Sequence, residues 1–189
     1  MTDFSTLAGR RVLVTGSTGF KGSWLCTWLA DLGANVTGLA LPPAADAPLF
    51  SQLRLADRID QHFIDVRDYD AMTGLLDHAA PEIVIHLAAQ ALVRRSYAEP
   101  LETFHTNVTG GINLLEAVRL APSIRSLVFI TSDKCYRNME WQRGYHEDDV
   151  LGGPDPYSAS KGAVELVFTG YQESFFRARS DLIAATTRA

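Results

Sequence analysis

Three glycines spaced three residues apart constrain this chain more than any other feature: Gly16, Gly19 and Gly22 in Thr15-Gly16-Ser17-Thr18-Gly19-Phe20-Lys21-Gly22. They follow a short apolar run, Arg10 to Thr15, and precede a stretch in which Trp24, Leu25, Trp28, Leu29 and Leu32 fall at helical spacing until Gly33. A buried strand that turns through glycines into a helix is the opening of a βαβ unit. Glycine at these positions lets the backbone turn tightly and approach a pyrophosphate, which then rests on the helix N-terminus.

The rest of the chain repeats the alternation. Ala34 to Leu41 reads as a second strand closed by Pro42-Pro43, and Ile59 to Val66 as a third ending near Asp65. Asp68 to His78 is helical, and Ile83 to Leu87 is a fully apolar fourth strand. A long helix spans about Pro100 to Leu120, with Leu114, Leu115 and Val118 on its buried face. Leu127 to Ile130 is a fifth strand, Tyr157 to Arg177 a second long helix, and Leu182 to Thr187 a sixth strand. Strands alternating with helices imply a parallel sheet covered on both faces, and right-handed crossovers make this an α/β, doubly wound, Rossmann-type fold. The irregular stretch from Asn138 to Pro156 is long for a compact domain, a length usual for functional or mobile loops. The chain stops at Thr186-Thr187-Arg188-Ala189, directly after a strand. The reading is therefore a single dinucleotide-binding domain over residues 1–189, with a C-terminal substrate-binding domain absent.

Composition limits the partners. In 189 residues the net charge is −5 with no basic cluster, which argues against nucleic acid. The two cysteines, Cys26 and Cys135, form neither a disulfide framework nor a metal spacing, so reduced thiols and no metal are expected. The start Met1-Thr2-Asp3-Phe4 lacks the marks of a signal peptide, and the apolar segment Ile83 to Val93 is too short for a bilayer. The expectation is a cytoplasmic protein with no membrane partner.

The residues with chemical potential gather after the strands. Tyr157 and Lys161 lie one helical turn apart on a shared face, where an ammonium favours the phenolate form of the tyrosine. With the glycine loop upstream, this pair points to hydride chemistry on a nicotinamide cofactor, held by Gly16, Thr18, Gly19, Phe20, Lys21 and Gly22 together with Tyr157 and Lys161. The end of the second strand, Gly38-Leu39-Ala40-Leu41, carries neither the carboxylate nor the arginine that would separate NAD from NADP. Asp65, beside Val66, either meets the adenine amino group or caps its own loop. In His86-Leu87-Ala88-Ala89-Gln90, small residues let the backbone approach the nicotinamide half, and His86 is given no catalytic role. Asn107 on the long helix can organise a water beside Lys161. Arg94 and Arg95 either meet a sugar-nucleotide pyrophosphate through forked donors or form a solvated pair. Thr131-Ser132-Asp133-Lys134 follows the fifth strand at the ligand-binding edge, where a hydroxyl, a carboxylate and an amine can polarise a substrate hydroxyl and move protons.

With these motifs in place, the chain resembles the extended short-chain dehydrogenase/reductase (NAD-dependent epimerase/dehydratase) family acting on nucleotide sugars. The glycine spacing and Tyr-x-x-x-Lys are general to that superfamily. The segments Gly19-Phe20-Lys21-Gly22-Ser23-Trp24 and Ser132-Asp133-Lys134-Cys135-Tyr136 are similar more narrowly to its CDP-glucose 4,6-dehydratase branch. The resemblance, running from about Gly9 to Ala189, implies a redox-neutral dehydration with tightly held NAD in a pathway to deoxysugars of bacterial surface polysaccharide. It assigns Tyr157 as base at the 4-hydroxyl and Ser132 as its hydrogen-bonding partner and substrate contact. Lys161 supports the tyrosine and anchors the nicotinamide ribose, and Asp133 is the acid for the departing 6-hydroxyl. Related dehydratases carry a glutamate as the base at carbon 5, where this chain has Lys134. It also implies a homodimer, or a dimer of dimers, built on the two long helices. The alternatives are a 4-epimerase or another dehydratase, or a cofactor-binding fragment without turnover.

Overall fold

A computed structural model describes residues 4–43 and 49–188. Six strands form one parallel sheet in the order β3-β2-β1-β4-β5-β6: β1 (Arg11–Thr15), β2 (Asn35–Ala40), β3 (Asp60–Phe63), β4 (Ile83–His86), β5 (Ser126–Ile130) and β6 (Ile183–Thr187). The helices are α1 (Phe20–Asp31), α2 (Leu49–Gln52), α3 (Tyr69–Ala79), α4 (Val93–Ala98), α5 (Pro100–Phe104), α6 (Gly110–Leu120) and α7 (Pro156–Ser174). The strand order reverses between β1 and β4, which opens a crevice beyond their carboxyl ends.

Side-chain alternation in the central strand shows why both faces must be covered. Leu13 points into a core with Val84, Leu114, Leu115, Val118 and Phe129, while Val12 and Val14 point into another with Val36, Cys26, Leu29 and Phe50. All three β1 side chains are buried, as expected of a parallel sheet with helices on each side. Each contributes about 1.5–3 kcal/mol of burial free energy.

The structure departs from the sequence expectation in several places. β3 is half the predicted length, because this edge strand pairs only with β2, from Thr37↔Asp60 to Ala40↔Phe63, and the chain then turns away at Asp65. The predicted helix over Pro100 to Leu120 is α5 and α6 joined through a π-helical turn, His105–Thr109. The short helices α2 and α4 have too few residues to show a period. Trp24 and Trp28, in register with the helical pattern, remain 52% and 51% exposed, whereas Gly22, Ser23, Cys26 and Leu29 form the buried face of α1. The close approach at Gly22 brings the small side chains inward and turns the indoles out.

Candidate functional site

The glycine turn is shaped by contacts that no side chain would survive. Gly16 has φ +74°, and a Cβ there would lie 2.8 Å from the Ala88 nitrogen at the end of β4. A Cβ on Gly22 would fall 2.0 Å from the Gly16 carbonyl oxygen. β1, the first turn of α1 and the loop after β4 are therefore packed backbone to backbone. Gly19 caps α1 without a side-chain hydrogen bond, which leaves the first helical N–H groups aimed at the crevice. A cavity of about 570 Å³ runs along this edge. Gly16, Thr18, Gly19, Phe20, Lys21 and Gly22 line its middle, Leu41, Asp65, Val66 and Arg67 one end, and Ala88, Ala89, Ser132, Tyr157 and Lys161 the other. A helix N-terminus over a glycine cradle with mixed apolar and hydrogen-bonding ends suits an elongated dinucleotide.

At the end lined by Asp65, that carboxylate is already engaged. The Arg67 side chain bonds both its oxygens, at 2.5 Å for the closest pair, and the Arg67 backbone N–H donates to Oδ1 at 2.9 Å. The Arg67 guanidinium holds its carboxyl below the usual range. Asp65 thus caps its own loop while its edge lines the cavity. Val66 packs on Gly110 of α6, where a Cβ would come within 2.7 Å of its methyl group.

Gln90 and Asn107 are not on the cavity wall; they brace it from behind. Asn107 Oδ1 accepts from the Gln90 backbone N–H at 2.8 Å, and its Nδ2 donates to the Gln90 carbonyl and to Ser160 Oγ on α7. The Gln90 side chain donates to Thr103 Oγ1 and accepts from the Leu92 N–H. This differs from direct cofactor contact by Gln90 and from a water held by Asn107, because both amides are satisfied inside the protein. His86 is fully buried with Nδ1 2.7 Å from Thr15 Oγ1, and burial, aided by Lys161, pushes its pKa down to about 3. It stays neutral across the physiological range. Arg94 is exposed on α4 and outside the cavity wall, and Arg95 pairs with Glu102 at 2.8 Å.

At the remaining end Ser132, Tyr157 and Lys161 share the cavity wall, whereas Asp133 and Lys134, next in sequence to Ser132, are not on it. The helix α7 starts at Asp155, whose carboxylate accepts the Ser158 N–H, and this cap sets Tyr157 and Lys161 on one buried face. The Lys161 ammonium lies 5.9 Å from the Tyr157 ring centre. Burial pushes Lys161 down to about 8, Lys21 pushes the same way, and Cys135 and Glu165 oppose. Facing them is a single 3-10 turn, Asp133–Cys135, capped by the Ser132 hydroxyl. Ser132 Oγ donates to Asp133 Oδ1 at 3.0 Å, and Lys134 Nζ bonds Asp133 Oδ2 at 2.7 Å. The hydrogen bond with Lys134 holds Asp133 low, and the reciprocal bond raises Lys134. In this state the pair is carboxylate and ammonium.

The Lys161 shift has a stability consequence. Between pH about 8 and 10.5 the unfolded lysine holds a proton that the folded one has released, so this group's contribution to stability rises with pH through that window. Below it the folded protein carries the full cost of a buried ammonium, roughly 3 kcal/mol. Lys161→Met is therefore expected to raise the Tm of the cofactor-free full-length protein at pH 7 by several degrees, with the gain fading above pH 10. A Tm unchanged or lowered at pH 7 would contradict the assigned burial cost.

Sequence reasoning missed Leu41, Arg67, Glu102 and Thr106 on the cavity wall and Glu165 and Arg188 behind it. Glu165 alone carried a signal, as a carboxylate within the inward face of α7. Among the described residues no group of three or more metal-ligating side chains exists, and no helix is long and apolar enough to cross a membrane.

The chain is 49% identical over 176 residues to a CDP-glucose 4,6-dehydratase of Salmonella typhimurium, a match covering 93% of this chain and 49% of that protein. It is 34% identical over 165 residues to a UDP-glucose 4-epimerase of Mycolicibacterium smegmatis, with 87% and 52% covered. The fold superposes on a UDP-glucose 4-epimerase of Thermus thermophilus in complex with NAD, at TM-score 0.78 and 29% identity over 94% of this chain and 54% of that one. The chain spans about half the length of these relatives. Residues 13–184 match the family described as GDP-mannose 4,6 dehydratase, and the chain belongs to that family.

Proposed function

We propose that the full protein converts CDP-glucose to CDP-4-keto-6-deoxyglucose without net oxidation, with NAD in the glycine-lined cavity. The observation that carries this reading is that two elements meet at one cavity end, where Ser132, which caps the Asp133–Cys135 turn, shares a wall with Tyr157 and Lys161 of α7. The 49% identity to a CDP-glucose 4,6-dehydratase supports the choice of sugar nucleotide, and the NAD-bound structural relatives support the cofactor. The fit of NAD is supported by the cradle itself, since Gly16, Gly19 and Gly22 bring bare backbone to the cavity wall at the N-terminus of α1.

When bound, NAD supplies a hydride acceptor for carbon 4 of the sugar and a donor for carbon 6. The chain's own residues handle protons. Tyr157 takes the proton of the 4-hydroxyl, with Ser132 hydrogen-bonded to that oxygen and Lys161 supporting the negative charge. Elimination across carbons 5 and 6 needs a base and an acid, and this reading assigns Lys134 and Asp133 to these roles. Their resting ion pair has the opposite protonation. One proton moved across the 2.7 Å contact yields a neutral amine and a carboxylic acid, the pair that the elimination requires. Exclusion of water by the bound sugar favours that neutral pair, because desolvation penalises the charged forms. Lys134→Met is expected to abolish exchange of the carbon 5 proton with solvent while leaving oxidation at carbon 4. Full-rate exchange in that variant would remove Lys134 as the base.

The test of the reading is incubation of the full-length protein with CDP-glucose. The expected product is the 4-keto-6-deoxy sugar with no build-up of NADH, whereas a product retaining its 6-hydroxyl would assign a 4-epimerase. We further propose that residues 1–189 form the NAD-binding domain of a soluble cytoplasmic enzyme, its substrate domain lying outside this sequence. The enzyme is a homodimer through α4, α5 and α7, whose adjoining surfaces expose Tyr97, Leu101, Phe104 and Leu166. Leu101→Glu combined with Leu166→Glu is expected to halve the mass measured by light scattering. An unchanged mass would place the interface elsewhere.

A further inference from the structure

The 3-10 turn bearing Asp133 and Lys134 is gripped at both ends by one ion pair, a buried carboxylate with a partly buried guanidinium, that the proton chemistry does not use. Glu165 lies on α7 one turn beyond Lys161 and two beyond Tyr157, with its side chain 2% exposed. Its Oε1 accepts the Thr131 hydroxyl, and its Oε2 accepts Arg188 Nη2 at 3.0 Å and Thr186 Oγ1 at 3.2 Å. Arg188, just past β6, directs Nη1 to the Tyr136 hydroxyl at 2.6 Å and to the Glu147 carbonyl at 3.1 Å. Thr131 is the residue before Ser132, and Tyr136 is the residue after Cys135. The carboxylate therefore holds the entry to the turn, and the guanidinium holds its exit.

We propose that Glu165 and Arg188 are positioning residues that register the Ser132–Cys135 turn against the helix carrying Tyr157 and Lys161; this deepens the functional reading above and rests on it. The two halves of the site are on separate elements, so their spacing must be set by something that spans both. Glu165 is on one element and reaches the other through Thr131 and Arg188. A charged pair with fixed donors constrains direction as well as distance, which an apolar contact does not. Backbone packing tightens the same joint, since a Cβ on Gly162 of α7 would lie 2.7 Å from the Gly152 nitrogen, and that N–H donates to the Cys135 carbonyl at 2.6 Å. The clamp also anchors the long loop. From Arg188 the rings of Tyr136, Tyr145 and Trp141 continue in a stack, ending under Arg143.

Arg188 also borders a second cavity, of about 500 Å³, beside Asp133 and Glu147. Its charge is already matched by Glu165, so this wall offers no free cation to a diphosphate, and the role is positional.

The experiment compares Arg188→Met, Glu165→Gln and their combination in the full-length holoenzyme. Each single change strands a buried polar or charged partner and lowers Tm. The double change removes both charges and is expected to restore most of the Tm, while kcat for CDP-glucose stays lowered by about 100-fold with KM little changed. Amide exchange over residues 132–136 is expected to quicken in the double variant. A double variant with parental kcat, a raised KM with intact kcat, or unchanged exchange over 132–136 would each overturn the clamp. If the parent does not turn over CDP-glucose, the functional reading fails, and the exchange measurement alone decides the clamp.

Discussion

Tyr157→Phe is expected to lower kcat for CDP-glucose by about 10³-fold, within the range that a positioned acid–base group contributes. The change removes one oxygen from the cavity wall and keeps the ring between α7 and the sheet edge, so the fold and NAD retention should survive. The contrast with Lys134→Met is informative. Loss of Tyr157 stops the reaction before the sugar is oxidised, so no transient keto-sugar and no carbon 5 exchange should be seen. Loss of Lys134 leaves the oxidised sugar waiting. A Tyr157→Phe enzyme with more than a tenth of parental kcat would mean that another group takes the 4-hydroxyl proton. His86 is no substitute, since its pKa of about 3 and its bond to Thr15 keep it an uncharged part of the core.

The second large effect is on binding. Gly22→Ala places a methyl group 2.0 Å from the Gly16 carbonyl oxygen and 2.8 Å from its carbon, both main-chain atoms that no rotamer change can move. Either α1 withdraws from β1 or the glycine turn opens. We expect NAD to be lost on purification, with affinity lowered at least about 100-fold, and stability to fall by about 3 kcal/mol. Gly74→Ala is the control. That glycine lies on the exposed side of α3 with nothing within 4 Å of an added Cβ, and alanine there should stabilise by about 0.5–1 kcal/mol. Equal tolerance of both alanines, by urea unfolding and by cofactor content, would remove the packing argument for the cradle.

The strands and the core were legible because both rest on the apolar pattern. Val12, Leu13 and Val14 are apolar in succession, which only a strand covered on two faces explains. The residues at the strand ends were legible because topology brings them together whatever their loops do. What the sequence hid was direction. Trp24 and Trp28 keep the helical register, and nothing local reveals that glycine packing turns their side of α1 outward. Gln90 and Asn107 are polar residues beside the site, and polarity alone does not tell a wall from its brace; their hydrogen bonds to each other do. Glu165 and Arg188 are 23 residues apart and lie on separate elements, so no spacing rule could pair them.

The π-helical turn His105–Thr109 carries one residue more than the α-helical turn it replaces. Upstream of it, α5 exposes Leu101 and Phe104; downstream, α6 presses Gly110 against Val66 behind the cavity. Removing a single residue there would rotate one segment against the other by about 100°. The extra residue of that turn thus sets the angle between the surface proposed for a second subunit and the helix packed behind the cofactor cavity.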